Sequence, residues 1–240
     1  MKFISIKLKE NHTNYLRTLF LLLFSFFICY YFGFQGIIPL DDFVNLNSGY
    51  RVYEGDLPFK DYYEVTGPAL SIIQALFFDI FGLSWKSYVL HSSIINCVTS
   101  IIIYKYFSST LQNKDLSLII SILFSILFYP NNGVPGVDHH AWAFIIISLL
   151  LLDFGFEKKK FIYIFFSIFV FFLSFFIKQV PSAYIFILMC LIYLTHSISE
   201  KKVVYFFRII STILFFLICF LILLNQNGID FERVIEQYFL

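Results

Sequence analysis

Apolar runs long enough to cross a lipid bilayer recur along this chain, and all but the first two are separated by short polar turns. A membrane-spanning helix needs about 20 apolar residues, so repeated runs of about 17–25 leave few alternatives to a helical membrane protein. The apolar stretches lie at 18–37, 67–82, 84–107, 115–130, 139–155, 161–177, 181–197 and 203–224. Charged residues make up 14% of the chain, too little to cover the surface of a soluble domain. The net charge of +1 implies no nucleic-acid partner, and membrane lipid is the expected surrounding. Cys29, Cys97, Cys190 and Cys219 all sit inside apolar runs and read as small buried hydrophobes. The first run follows Lys2, Lys7, Lys9 and Arg17 with no small-residue cleavage site after it, which fits an uncleaved signal anchor.

Charge placement decides which runs cross. If 67–82 crosses, the cytoplasmic side holds seven basic residues and the outer side nine. If it lies along the outer surface, Lys2, Lys7, Lys9, Arg17, Lys105, Lys114, Lys158, Lys159, Lys160, Lys201 and Lys202 fall inside. Only Arg51, Lys60, Lys86, Lys178 and Arg233 then fall outside, as the positive-inside rule prefers. The composition of 67–82 agrees. Ser71, Gln74 and Asp79 fall within an arc of about 140° at helical spacing, the pattern of an interfacial amphipathic helix. Pro68 suits its first turn and Gly82 its end. The expected fold is therefore an all-α polytopic membrane protein with about seven spans and a cytoplasmic N-terminus. Span one covers 18–37, an outer loop with two surface helices covers 38–83, spans two to seven cover 84–224, and 225–240 is an outer tail.

The first outer loop is the one long polar segment. It holds Asp41, Asp42, Glu54, Asp56, Asp61 and Glu64, six of the 16 acidic residues. Carboxylates beside lipid are costly and mark a site facing water or a substrate. Asp41 also suits the start of a surface helix over 41–54, where the helix dipole favours negative charge. Arg51 has a second reading as a helical partner of Glu54, and Lys178 as a cation reaching the interface from a span end. Asp138, His139 and His140 close the second outer loop. Asp138 with one histidine, helped by Glu64, forms a candidate divalent-cation site; the plainer reading is a capping aspartate and interfacial histidines. Adjacent histidines do not share a helix face, so the two do not reach one ion together. His91, Asp153, His196 and Trp142 read as interhelical or helix-end contacts. The sequence itself requires no cofactor.

Asp41, then Gly55 fourteen residues on, Pro58-Phe59, Asp61 and Gly67-Pro68 together resemble the first-loop signature of the polytopic GT-C glycosyltransferases. These are the protein O-mannosyltransferase-like and aminoarabinose-transferase-like enzymes. The layout is similar over nearly all of the chain, the motif over about 30 residues. The resemblance implies transfer of a sugar from a polyprenyl-phosphate donor to a glycolipid, glycan or protein acceptor on the outer face, with inversion. It implies Asp41 as general base, with Asp42 standing where the family usually has Glu. A positioned carboxylate takes the proton of an attacking hydroxyl, and cations or N–H donors stabilise the leaving phosphate. Arg51, Lys60 and Lys178 are the candidate phosphate ligands, and Asp61, Glu64, Asp138, His139 and His140 candidate substrate or metal ligands. The resemblance further suggests a bacterial inner-membrane protein of cell-envelope glycan synthesis, and an N-terminal portion of a longer enzyme. A small transporter or lipid flippase is the alternative from another class, its usual signs, internal repeats and charges near mid-bilayer, being weak here; an inactive fragment of a larger glycosyltransferase is the other alternative.

Overall fold

The computed structural model describes residues 2–129, 133–199 and 203–239. Residues 130–132 of the second expected outer loop, the turn at 200–202 with Lys201 and Lys202, and the terminal Leu240 lie outside the described residues.

Every regular element among the described residues is helical. In chain order they are α1 (Lys2–Phe32), α2 (Pro39–Tyr53), α3 (Ala69–Phe81), α4 (Trp85–Thr110), α5 (Lys114–Leu127), α6 (Val137–Lys158), α7 (Phe161–Phe175), α8 (Gln179–Ser199), α9 (Val203–Gln226) and α10 (Phe231–Val234). A short π-helical turn, Ile235–Phe239, follows α10.

Among the described residues, five helical segments are long and apolar enough to cross a membrane: Thr13–Phe32, Trp85–Thr110, Val137–Lys158, Gln179–Ser199 and Phe206–Gln226. Helices α5 and α7, expected as full spans over 115–130 and 161–177, have 14 and 15 residues. At about 1.5 Å per residue both fall well short of the roughly 30 Å hydrocarbon layer. Each is cut short by a defined stop. At α5, Asn113 caps the first turn by accepting from the Leu116 N–H, and the helix closes at Phe128. At α7, the chain leaves the helix at Phe176 although the apolar run continues to Ile177.

The chain divides into two compact units, Met1–Asp42 with Trp85–Pro135, and Phe43–Ser84 with Gly136–Leu240. In the first, α1, α4 and α5 pack through small polar residues. Ser92, Ser93, Asn96 and Ser100 on α4, and Ser117, Ser121 and Ser125 on α5, are fully buried. Small side chains let helix backbones approach closely where no hydrophobic effect drives helices together. Most of these hydroxyls bond a carbonyl one turn back, as Ser93 does to Val89 and Ser121 to Ser117. Asn96 does more: its side-chain amide donates to the carbonyls of Ser25 at 2.9 Å and Ser125 at 3.1 Å, tying three helices. A Cβ on Gly33 would lie 2.6 Å from the Gly133 carbonyl, so only glycine allows that approach. Trp85 and Ser92 then donate to the Gly33 and Gly133 carbonyls.

In the second unit, α6 and α7 form a hairpin. Ser148 and Ser167 each donate to the other's carbonyl at 2.8 Å. Further along, Ser174 donates to the Ala141 carbonyl and its hydroxyl lies 2.7 Å from that of Ser182, joining α6, α7 and α8. Around these contacts pack Leu152, Ile164, Ile168, Phe171, Met189, Tyr193 and Ile209. Helix α3 presents its polar arc inward. Ser71 and Gln74 are buried in the protein, while Ile72, Leu76 and Ile80 are exposed. The amphipathic period is present, but the protein takes the polar side; of the expected arc only Asp79 remains exposed.

Candidate functional site

The acidic pair that opens α2 divides its roles. Pro39 sits in the first turn, where its missing N–H costs nothing. Asp42 is fully buried, and its carboxylate accepts the Ile38 N–H at 2.6 Å, reaching back one turn to satisfy a group that the helix leaves unpaired. Its own carbonyl lies 3.0 Å from the Tyr88 hydroxyl. Asp42 thus secures the helix start, while Asp41 beside it is exposed.

At the other end α2 stops in a glycine-dependent turn. Gly55 has φ +99°, its N–H donates to Val52, and the Asp56 N–H donates to the Arg51 carbonyl at 2.9 Å. This winding carries Asp56 back against the last helical turn. Arg51 therefore pairs with Asp56 at 2.7 Å, correcting the expected Glu54 partner. Arg51 also donates to the Asp61 carbonyl at 3.0 Å and lies 4.6 Å from the centre of the Tyr62 ring. The Asp61 carboxylate accepts the Leu57 N–H at 2.8 Å. Arg51 and Asp61, candidate ligands by sequence, are both engaged in shaping the 55–62 turn.

Phe59 is the strained point of that turn. Its φ of +67° is rare for an aromatic residue, yet the side chain is buried with Leu224, Val234 and Tyr238. Burial and a distant amide hold it: Gln237 donates to the Phe59 carbonyl at 3.3 Å and accepts the Glu64 N–H at 3.0 Å. Gln179 donates to the Tyr238 carbonyl, and the Tyr238 hydroxyl to the Phe175 carbonyl. Sequence reasoning missed Gln237, Tyr238 and Gln179. Their partners lie 59 to 178 positions away, beyond any local pattern.

Glu64 is 4% exposed. Its carboxylate accepts from Thr66 at 2.9 Å and Ser71 at 3.2 Å. Burial pushes its carboxyl above the usual carboxylate range, and the Thr66 and Ser71 hydrogen bonds partly oppose this. Burial, and then the Glu64 charge, pushes the Tyr62 and Tyr238 phenols up as well. Just beyond, Gly67 and Ala69 donate to the carbonyls of Ile177 and Phe176 at 2.9 and 3.0 Å. These are carbonyls that the end of α7 leaves unpaired. A Cβ on Gly67 would sit 1.8 Å from the Phe176 oxygen, which is the physical reason for glycine before Pro68.

Asp138, in the first turn of α6, meets Lys178 at 2.6 Å, so these two expected site residues do come together. His139, next to Asp138 in sequence, is half-buried. His140 is fully buried, with Nδ1 3.3 Å from the Gly136 carbonyl and its ring edge-on to Phe144. No group of three or more His, Cys, Asp or Glu side chains among the described residues is arranged to hold a metal ion. In particular the expected cluster of Asp138, a histidine and Glu64 is not assembled.

An apolar groove of about 490 Å³ runs beside the 57–59 turn. Its walls are Phe169, Phe172 and Phe176 of the α7 region and Phe216, Phe220 and Leu224 of α9; Leu57, Pro58, Phe59, Pro68, Asn227 and Ile229 line it as well. Lys60, exposed, donates to the Asn227 carbonyl at 2.8 Å, next to this lining. The phenylalanine-rich runs thus do more than meet lipid and neighbouring helices: part of them forms a concave surface. No protein-family model, no curated protein and no solved structure matches this chain.

Proposed function

We propose that this chain is a membrane glycosyltransferase module that moves a sugar from a polyprenyl-phosphate donor to an acceptor hydroxyl at the outer face of the membrane. The observation that carries the reading is the phenylalanine-lined groove, with motif residues Leu57, Pro58, Phe59 and Pro68 in its wall and a lysine ammonium beside it. Such a groove suits an isoprenoid tail, and the cation suits its phosphate. In the reaction the acceptor oxygen bonds to the anomeric carbon from the face opposite the phosphate. The bond from that carbon to the phosphate oxygen breaks, and the lipid phosphate leaves with the electron pair. Asp41 takes the acceptor proton, the role that the first-loop resemblance implies; its exposure leaves it available, whereas Asp42 is spent on the start of α2. A divalent ion is not needed for this balance.

In the same reading α5 and α7 are membrane crossings as well. Apolar residues at their ends and local thinning of the bilayer make up their short length, giving seven spans with the N-terminus inside. The asymmetry of lysines and arginines supports that orientation.

Transfer is measured by mass spectrometry of glycolipids from membranes supplied with a panel of polyprenyl-phosphate sugars. Asp41→Asn should cut transfer by about 100- to 10,000-fold with membrane insertion intact, the usual contribution of a general base. Transfer at the normal rate by this variant would remove Asp41 from the role.

A further inference from the structure

Three cations were candidates for the lipid phosphate, and their surroundings are not equivalent. Arg51 is closed in by Asp56, the Asp61 carbonyl and the Tyr62 ring. Lys178 is paired with the Asp138 carboxylate. A phosphate approaching either one must compete with a full negative charge already in place. Lys60 differs. Its ammonium is held by a neutral carbonyl, that of Asn227, at 2.8 Å.

That carbonyl has a particular origin. Helix α9 ends with Gly228 in the left-handed conformation at φ +63°, the Gly228 N–H bonded to the Asn225 carbonyl and the Ile229 N–H to the Leu224 carbonyl. In this kind of helix stop some terminal carbonyls stay without a partner in the helix. Lys60 serves one of them and also complements the negative end of the helix dipole. The arrangement is good but replaceable, because a hydrogen bond from an ammonium to a phosphate oxygen is roughly twice as strong as one to a neutral acceptor. Asn227 lines the groove, as does Phe59, the neighbour of Lys60 in sequence. The ammonium therefore stands where an amphiphile with its tail among the phenylalanines would carry its head.

We infer that Lys60 is the residue that selects an anionic headgroup for the groove, exchanging the Asn227 carbonyl for a phosphate oxygen when an isoprenoid phosphate binds. This rests on the groove being the donor-lipid site. It adds that the recognition is by one cation with a displaceable partner, and that Arg51 and Lys178 are not the phosphate ligands.

The test is equilibrium binding to the whole chain in nanodiscs, with farnesyl phosphate, farnesol and inorganic phosphate as separate probes. Lys60→Met should weaken farnesyl phosphate about tenfold or more, the worth of one charge-assisted hydrogen bond, and leave farnesol unchanged. Lys60→Arg should restore most of the loss, and Lys178→Met should change farnesyl phosphate by less than about twofold. An equal loss of farnesol and farnesyl phosphate in Lys60→Met would make Lys60 only a cap for α9 and overturn the inference. So would a loss confined to Lys178→Met, or full competition by inorganic phosphate alone. If the wild-type chain binds farnesyl phosphate but Lys60→Met binds it equally well, only the role of Lys60 falls. If the wild-type chain binds neither isoprenoid, the donor-groove reading falls with it.

Discussion

One helix contact in each compact unit shows opposite choices of side chain. Between α1, α4 and α5 the interior is rich in hydroxyl and amide: Ser92, Ser93, Asn96 and Ser100 of α4 and Ser117, Ser121 and Ser125 of α5 have no exposed surface, and Asn96 bonds carbonyls of two neighbouring helices. Around α7 and α9 the corresponding surface is phenylalanine, and it is left concave. Small polar residues close a helix interface because they take little volume and their polar groups bond backbone carbonyls. Phenylalanines on two helices meet at their rims and leave space between them, as the tilted contacts of Phe216 with Phe165, Phe169 and Phe172 do. A tight interface and a groove therefore follow from residue size before any ligand is considered, and they should respond differently to substitution.

The largest effect is expected at Gly67. Its Cβ would collide with a backbone oxygen, which cannot swing aside as a side chain can, so Gly67→Ala should lower the stability of the second unit by about 3 kcal/mol or more. Thermal unfolding in detergent reads this; an unchanged midpoint would mean that the loop does not rest on α7. Asn96→Leu tests the other unit. Interhelical hydrogen bonds within membranes are modest, so about 1 kcal/mol should be lost, with the groove still able to take farnesol. A loss above that of Gly67→Ala would invert the comparison.

Glu64 gives a smaller, pH-dependent effect. Its folded carboxyl holds a proton more tightly than the unfolded one, whose ordinary value is 4.5. The contribution to stability is therefore fully present below that value and is lost as pH rises through the folded one. Glu64→Gln should flatten this fall, seen by comparing unfolding midpoints from about pH 4 to about pH 8. The smallest stability change belongs to Phe169→Leu in the groove wall, within about 0.5 kcal/mol, because that side chain faces open space. Its farnesol affinity should fall all the same, and an unaltered affinity would argue against the groove as the tail's site.

Much of this architecture is legible in the residues. Apolar length and the turn residues place the helices, and Pro68 and Gly82 bracket α3 as its caps. What escapes is whatever depends on a partner far away in the chain. The 100° period finds the polar arc of α3 but not the side that meets protein, which is set by Glu64 and the groups packed around it. Helical spacing pairs Arg51 with Glu54, yet the left-handed Gly55 ends the helix and returns Asp56 instead. Apolar character continues through Phe176 and Ile177, but the helix does not, because Gly67 and Ala69 take the carbonyls there. Of the candidate residues, Asp138 and Lys178 are singled out separately by sequence, as a metal or substrate ligand and a phosphate ligand, and their pairing with each other is not foreseen. Nor is the hold of Gln237 on Phe59, since a lone glutamine in a polar tail carries no periodic signal.

The seat of Gly67 on the end of α7 makes the length of that short helix a ruler. One residue added within α7 would raise its last carbonyls by about 1.5 Å and swing them through about 100°. The ledge would then face away from the 55–68 turn, and Phe172 and Phe176 would leave the groove wall together with it. Changes of helix length at this position should therefore be tolerated far less well than changes of side chain, even where every inserted residue is apolar.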